Sequence, residues 1–203
     1  MKIAYKYLKM KRVPVTTLIK KLTGILDSCT EDVAKEFSEL TEAQLQWQPN
    51  ERSWSIAQCL AHLNAYYRYY IPVFRGKISN TRFTEPTELF NSSPLGVAVY
   101  RSVKLGKVKN VKRKLKSTKE YNPLVNTSLS LENVIEEYME HVADFKHVMQ
   151  EGQMINLRKT KCPLSLRPVV KLNLGDAFIF TAYHNERHIE QMKRIMRFAQ
   201  FPA

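Results

Sequence analysis

The sequence predicts an all-α fold, a four-helix bundle with a long connection between the second and third helices. Four stretches carry apolar residues at steps of three and four, which is the period of an α-helix with one buried face. Each stretch is polar on its opposite face, as the helices of a bundle are. The chain has 203 residues, a length that fits a single domain over residues 1–203.

The first helix is predicted from a stripe of apolar residues: Leu18, Leu22, Ile25, Cys29, Val33, Phe37 and Leu40. Directly after this stripe, the pattern Thr41-Glu-Ala-Gln44 predicts a short helical turn. That turn leads into a loop at Gln48-Pro49-Asn50.

The second helix is predicted to begin near Trp54, with Ser53 as its N-terminal cap. We expect Pro72 to kink or end this helix, and Gly76 indicates a stop nearby. Its apolar stripe comprises Ile56, Cys59, Leu60, Leu63, Tyr66, Tyr67, Tyr70 and Phe74.

The third and fourth helices are predicted from similar stripes and start signals. Ser130 with Glu132 opens the third helix. Asn173 and Asp176 resemble a capping box for the fourth. The third stripe is Leu131, Val134, Ile135, Tyr138, Val142, Phe145 and Met149, and the fourth is Ala177, Thr181, His184, His188, Met192, Ile195 and Ala199.

Two connections between the helices are irregular in sequence. Residues 76–128 contain three prolines and are too long for a plain loop in a compact domain. Residues 156–172 contain two prolines and are predicted to form an extended crossover.

The formal net charge is +13, but the excess of basic residues lies in two segments. Residues 1–26 hold seven basic and no acidic residues, and residues 101–119 hold nine and none, which leaves −3 for the remainder. We interpret residues 101–119 as a solvated basic loop. Such a loop predicts weak, salt-sensitive association with nucleic acid and no specific nucleic-acid partner. Its Val and Leu spacing also permits an amphipathic segment that packs on the bundle or on a partner subunit.

The sequence also predicts the compartment. No run of about 18 uncharged apolar residues is present, so we expect no membrane partner. The basic N-terminus is not followed by the apolar stretch of a secretory signal. Three irregularly spaced cysteines, Cys29, Cys59 and Cys162, argue against a disulfide scaffold. The predicted location is therefore the cytoplasm.

His184 and His188 are the most specific chemical feature of the sequence. They lie one helical turn apart within the apolar stripe, so both rings can reach one metal ion. The alternative is a pair of histidines packed at a helix surface. Glu186 and Glu190 are predicted to point outward as solvated charges, so neither is placed to act as a general base on water shared by these histidines.

A third metal ligand would have to come from another helix, and the residues alone leave it open. His62 lies on the shoulder of the second stripe, and His141 lies at the edge of the third. His147 points away from that stripe and is predicted to be a surface residue. Cys59 is either a ligand for a soft metal or a buried core thiol.

Two segments resemble signatures of the DinB-like (YfiT-like) superfamily. In the first, residues 45–63, a loop with Trp and Pro leads into a Trp-Ser-Ile helix that bears a His-Leu pair. The second is the His184–His188 helix followed by Gln191. The resemblance covers about residues 15–75 and 129–200 and leaves out 101–119. It implies a four-helix bundle in which His62, His184 and His188 hold a divalent metal, often nickel or zinc.

The resemblance also implies classes of function. Characterised members of that superfamily include low-molecular-weight-thiol S-transferases, thiol-dependent isomerases and proposed hydrolases. We therefore expect a metal-dependent enzyme that acts on a small molecule, with transfer of a low-molecular-weight thiol as the leading form and hydrolysis as the second. The alternative is a non-catalytic metal-bearing stress or binding protein, with weak nucleic-acid association through residues 101–119. We also expect a homodimer.

The candidates for the surroundings of the histidines are Tyr66, Asn185 and Cys59. Tyr66 lies one turn after His62 and is the tyrosine expected to face the site or to pack in the core. Asn185 is expected beside the histidines, holding a water or a ring nitrogen. Trp47 and Trp54 are expected to anchor their loop to the bundle.

Overall fold

Four long helices form the bundle: α1 (Val15–Glu36), α3 (Ile56–Ser79), α5 (Val134–Glu151) and α6 (Leu174–Met196). The structure is a computed structural model that describes residues 12–106, 115–165 and 167–203. Helices α1 and α3 each pack against both α5 and α6. The predicted fold class is therefore confirmed. None of the helices in the described ranges combines the length and the apolar character needed to cross a bilayer.

Two shorter α-helices also lie in the described residues, α2 (Glu42–Gln46) and α4 (Pro94–Val103). Helix α2 is the predicted turn, and its start is a capping box. The backbone N–H of Thr41 donates to Gln44 Oε1 at 2.8 Å, and the backbone N–H of Gln44 donates to Thr41 Oγ1 at 3.3 Å.

Helix α3 is capped by Ser55, so the prediction of Ser53 as the cap was wrong. The backbone N–H of Gln58 donates to Ser55 Oγ at 3.1 Å, and the N–H of Ser55 donates to Gln58 Oε1 at 2.9 Å. This reciprocal pair satisfies two helix-start donors at once, whereas Ser53 has no glutamine or glutamate three residues on. The Ser53 hydroxyl instead donates to Asn50 in the preceding loop.

Helix α3 also continues through Pro72 and Gly76, where the sequence predicted a kink or an end. Proline and glycine inside a helix cost about 3 and 1 kcal/mol, and burial of neighbours such as Phe74 offsets that cost. The helix ends at Asn80, whose backbone N–H and side-chain amide both donate to the Gly76 carbonyl, at 3.2 and 2.9 Å.

Helix α5 begins later than predicted. Ser130 Oγ does accept the N–H of Glu132 at 3.1 Å, but the helix starts at Val134. Its N-cap is Asn133, which adopts the left-handed conformation with φ of 49°. Asparagine tolerates that conformation better than most residues do.

Helix α6 begins after Asn173, as predicted, but the predicted capping box is not formed. Asn173 Oδ1 accepts from Lys161 Nζ at 2.5 Å. Asp176 Oδ2 accepts from the backbone N–H and the hydroxyl of Ser93, at 3.0 and 2.9 Å. Both side chains therefore form hydrogen bonds with neighbouring segments instead of capping α6. The local sequence does not indicate these tertiary contacts.

The long connection between α3 and α5 contains more structure than its sequence suggested. A short strand β1 (Val13–Pro14) pairs antiparallel with β2 (Leu89–Phe90), and helix α4 follows. Val103 and Leu105 are buried, whereas Leu115 is exposed. Residues 107–114, which hold five of the nine basic residues of segment 101–119 and the rest of its Val and Leu pattern, lie outside the described residues.

The predicted crossover at residues 156–172 is an antiparallel hairpin of β3 (Lys161–Leu164) and β4 (Arg167–Asn173). Lys161 faces Asn173 at its open end. The hairpin packs on α3 and α6. The three cysteines of the chain are buried as thiols and form no disulfide.

Candidate metal centre

Three histidine rings meet where α3 and α6 pack together. His62 lies in the second turn of α3, and His184 and His188 lie one turn apart on α6. His184 Nε2 is 3.3 Å from His62 Nε2 and 3.1 Å from His188 Nε2. Nitrogens bound about 2.1 Å from one ion at ordinary coordination angles are about 3.0–3.4 Å apart. The two distances to His184 match this spacing, and one donor atom from each of the three rings lies within 4.8 Å of the others, so the set could hold a single metal ion.

The backbone contact of His62 selects the nitrogen that this ring presents. His62 Nδ1 lies 2.5 Å from the carbonyl oxygen of Tyr121, which can only accept a hydrogen bond. The proton therefore belongs on Nδ1, and Nε2 presents a lone pair to the other two rings. Tyr121 closes a 3-10 helix at Lys119–Tyr121, within the connection that the sequence left irregular.

Burial keeps the three rings neutral. His62, His184 and His188 are only 2%, 6% and 7% exposed. Burial lowers the pKa of His62 to about 4, although the Tyr121 carbonyl opposes this shift. Burial also lowers the pKa of His184 and His188 well below the ordinary value, and the other histidines and Arg187 add to the effect. Neutral imidazole is the form that binds metals.

Aromatic rings enclose the histidines. Trp54 stacks on His188 with centroids 5.8 Å apart and contacts His62 at 4.7 Å. Tyr66 contacts His184 at 4.5 Å, as expected for the tyrosine one turn after His62. Phe180 stacks on His184 from the preceding turn of α6 at 5.5 Å. These rings shield the three donor atoms from bulk water.

A hydrogen-bonded pair of buried hydroxyl groups lies next to Tyr66. The Tyr70 hydroxyl donates to Ser165 Oγ at 3.2 Å and accepts from the Ser165 N–H at 3.1 Å. Tyr66 and Tyr121 pack ring to ring at 4.4 Å beside this pair. Burial raises the pKa of the Tyr66 hydroxyl, which lies beside the same serine.

Comparison with known protein families identifies the family to which the chain belongs. The sequence model of the DinB superfamily matches residues 25–192. The chain belongs to the DinB superfamily. This membership confirms the resemblance carried by the two sequence signatures. No curated protein sequence gives a significant match.

One solved structure is similar to this DinB superfamily chain over nearly its whole length. It is YfiT from Bacillus subtilis, described as a probable metal-dependent hydrolase with an unusual four-helix bundle topology. The two sequences are 14% identical, the match covers 97% of this chain and 92% of YfiT, and the TM-score is 0.48.

Two residues predicted to neighbour the three histidines have other surroundings in the structure. Asn185 is buried, but its amide donates to the Thr181 carbonyl at 2.8 Å and lies beside the Tyr67 hydroxyl. None of the described hydrogen bonds joins Asn185 to the three histidines. Cys59 is fully buried in the core and does not belong to the histidine cluster, and burial raises the pKa of its thiol.

The prediction that Glu190 on α6 is a solvated charge was wrong. Glu190 and Arg187 are only 6% and 8% exposed, and they are not solvated charges. Helix α6 packs against α1, α3 and α4, so little of its circumference faces water. Glu186 remains half-buried.

The other two histidines lie outside the cluster. His141 is half-buried on α5, with Nδ1 3.4 Å from Asn64 Oδ1 and Nε2 3.9 Å from Glu137. His147 is exposed, as predicted. Trp47, expected to anchor its loop, packs against Phe198 and Phe201 near the C-terminus. Trp54 is the residue whose part in the site the sequence missed, although it directly precedes the helix that bears His62.

The buried imidazoles predict an acid-sensitive metal-free protein. The pKa of His62 is about 6.5 in the unfolded chain and about 4 in the folded chain, so the unfolded state binds more protons between these values. The free energy of unfolding should therefore fall as pH drops from about 6.5 to about 4, by about 3 kcal/mol from His62 alone. Urea denaturation of chelator-treated protein at pH 7 and pH 4 measures this loss.

His62→Gln and His147→Gln are the matched variants for that measurement. The first should remove part of the pH dependence because its side chain does not titrate. The second should leave the pH dependence close to that of the parent, because His147 is exposed. Equal pH profiles for parent and His62→Gln would contradict the prediction.

Proposed function

We propose that this DinB superfamily protein is a metal-dependent enzyme that transfers a low-molecular-weight thiol to an electrophilic small molecule. In this proposal His62, His184 and His188 hold one divalent ion, nickel or zinc. The observation that supports it is a buried cluster of three neutral histidines, in which His184 Nε2 lies 3.3 Å from His62 Nε2 and 3.1 Å from His188 Nε2. Three protein ligands leave coordination positions open, which is typical of catalytic rather than structural metal sites.

The donor set favours thiol transfer over hydrolysis. A divalent ion at these rings would supply a deprotonated thiol or water at neutral pH. Among the described residues, no carboxylate lies within hydrogen-bonding distance of the three rings. Hydrolysis of an amide or ester usually also requires a general base or acid. Attack by a thiolate has less need of one, so it suits a site built from neutral histidines alone.

The surrounding residues suit an anionic nucleophile. Trp54, Tyr66 and Phe180 exclude water from the donor atoms, which strengthens electrostatic interactions there. Arg187 is close enough to lower the pKa of both His184 and His188, so it adds positive charge to the site. A thiolate would be stabilised in this environment.

The test is a conjugation assay with metal-loaded and metal-free protein. Bacillithiol, glutathione, coenzyme A and cysteine are each offered with chlorodinitrobenzene, and we expect conjugation by one thiol only when metal is bound. His62→Ala should reduce the rate to that of the metal-free protein. Cys59→Ala controls for alkylation of the chain itself and should keep the parent rate, because Cys59 lies in the core.

The other outcomes identify the competing functions. Metal-dependent cleavage of an ester or amide without thiol transfer would favour a hydrolase. No turnover at full metal occupancy would favour a non-catalytic metal-bearing protein, which the 2–7% exposure of the histidines also suits. The homodimer and the cytoplasmic location expected from the sequence stay predictions.

A further inference from the structure

A cavity lies at the C-terminal end of α3, away from the histidines. It has a volume of about 570 Å³ and runs between the last two turns of α3 and the start of β3. Counted along α3, Gly76 in this cavity is about 21 Å from His62. The cavity falls in the size range of small-molecule sites, about 300–1,000 Å³.

The two walls of this cavity are held together by hydrogen bonds. Thr81 Oγ1 and Thr160 Oγ1 are 2.9 Å apart, and Thr160 is buried. The N–H of Asn156 donates to the Phe83 carbonyl at 3.0 Å, which ties the loop after α3 to the segment before the hairpin. Hydrogen bonds therefore hold the two chain segments that form the cavity in a fixed relation to each other.

The polar part of the lining is positively charged. Lys77, Lys159 and Lys161 line the cavity, and none of the acidic residues that the structure describes lines it. Lys161 Nζ donates to Asn173, whereas Lys77 and Lys159 form no ion pair with any described carboxylate. Residues 156–173, from which two of these lysines come, contain five basic residues and no acidic one. The positive charge in the cavity is thus left uncompensated by the protein.

The carbonyl end of α3 opposes this charge only in part. A helix C-terminus carries about half a negative charge, and it lies at the same end of the cavity. Three ammonium groups carry six times as much positive charge. The Gly76 carbonyl is in addition occupied by both N–H donors of Asn80. An anion is therefore favoured over a cation.

The remaining lining is apolar. Pro72, Val73 and Pro163 line the cavity, and so does Phe83, whose ring centroid lies 5.7 Å from Lys159 Nζ. At Gly76 a Cβ atom would meet nothing within 4 Å, so the absent side chain leaves open space there. The cavity thus pairs a cationic side with an apolar side.

We propose that this cavity binds a small phosphorylated molecule, with its phosphate among Lys77, Lys159 and Lys161 and its apolar part against Pro72, Val73 and Phe83. Phosphate carries two negative charges near neutral pH and accepts several hydrogen bonds from ammonium groups. The site is independent of the proposed metal chemistry because it shares no residue with the histidine cluster.

Calorimetric titration with phenyl phosphate, inorganic phosphate and benzyl alcohol tests the site. Phenyl phosphate offers both chemical features, and we expect it to bind at one molecule per chain and more tightly than either of the others. Free phosphate binding as tightly as phenyl phosphate would overturn the apolar half of the proposal. The His184→Ala/His188→Ala variant should bind phenyl phosphate like the parent, which separates this site from phosphate bound at a metal.

Two kinds of variant locate the binding. Lys77→Gln/Lys159→Gln should weaken it at least about tenfold, because a hydrogen bond to a charged group changes affinity by about that factor. Lys20→Gln/Lys116→Gln removes the same charge from exposed positions outside the cavity and should change affinity much less. Gly76→Leu fills the open space without a change of charge and should abolish binding.

Equal weakening by the two lysine pairs, or full binding by Gly76→Leu, would show non-specific attraction to a basic protein and overturn the proposal. Absence of saturable binding to the parent would overturn it as well. Helical circular dichroism of each variant checks that the chain remains folded. Leucine is a better helix former than glycine, so Gly76→Leu should keep α3 intact.

Discussion

Purified protein should carry about one divalent ion per chain, and the His184→Ala/His188→Ala variant should carry none. Two of three ligands are then lost, and one imidazole on α3 does not form a site by itself. Elemental analysis after removal of any affinity tag measures the metal content. A chelator should also lower the free energy of unfolding of the parent protein, because it removes the bound ion. An ion present at about a thousand times its dissociation constant stabilises the folded state by about 4 kcal/mol.

The matched control removes the two histidines outside the cluster. His141→Ala/His147→Ala has the same histidine count as the first variant, and it should keep the full metal content because neither ring contacts the cluster. Full metal retention by the His184→Ala/His188→Ala variant would contradict the assignment of the site. Circular dichroism separates loss of the ion from loss of the fold.

The bundle could be predicted from sequence because its helices obey one period. Residues such as Leu22, Val33 and Phe145 recur at helical spacing and are buried as expected. The helix ends were less predictable. Ser53 and Ser55 are both capping residues by type, and only the glutamine three residues after Ser55 distinguishes them. The end of α3 was placed too early because packing outweighs the local preferences of Pro72 and Gly76.

The connections were predicted least well. Helix α4 starts with Ser93 followed by Pro94, a recognised cap with proline in the first turn, but it is short and lies between irregular, charged segments. Its stability comes from packing on α6. A hairpin of two proline-containing strands likewise has no strong alternation in its sequence.

The candidate site shows the same division between local and tertiary signals. The spacing of His184 and His188 indicated a shared ligand, whereas the choice of His62 over His141 depended on the family resemblance. The Tyr121 carbonyl that orients His62 could not be predicted, because it comes from a segment 59 residues away and uses a backbone atom. Glu190 was misplaced because a two-sided helical wheel does not describe a helix with neighbours on three sides.

The close approach of α4 to α6 depends on Gly96. A Cβ atom at this position would overlap the carboxyl group of Asp176, whose Oδ2 accepts from the N–H and hydroxyl of Ser93. The same hydroxyl accepts the Gly96 N–H at 2.9 Å and so caps α4. Gly96→Ala must therefore move the two helix starts apart and disturb the buried carboxylate and the cap together.

We expect Gly96→Ala to lower the free energy of unfolding by about 3 kcal/mol, from overpacking at about 1–3 kcal/mol and loss of the cap at about 1 kcal/mol. Gly24→Ala is the matched control, because Gly24 lies inside α1 and an added Cβ meets nothing within 4 Å. Alanine there should raise stability by up to about 1 kcal/mol through its better helix propensity. In urea denaturation at pH 7, Gly96→Ala should therefore lower the free energy of unfolding, whereas Gly24→Ala should raise it. A neutral or stabilising Gly96→Ala would show that α4 does not pack this closely on α6 in solution.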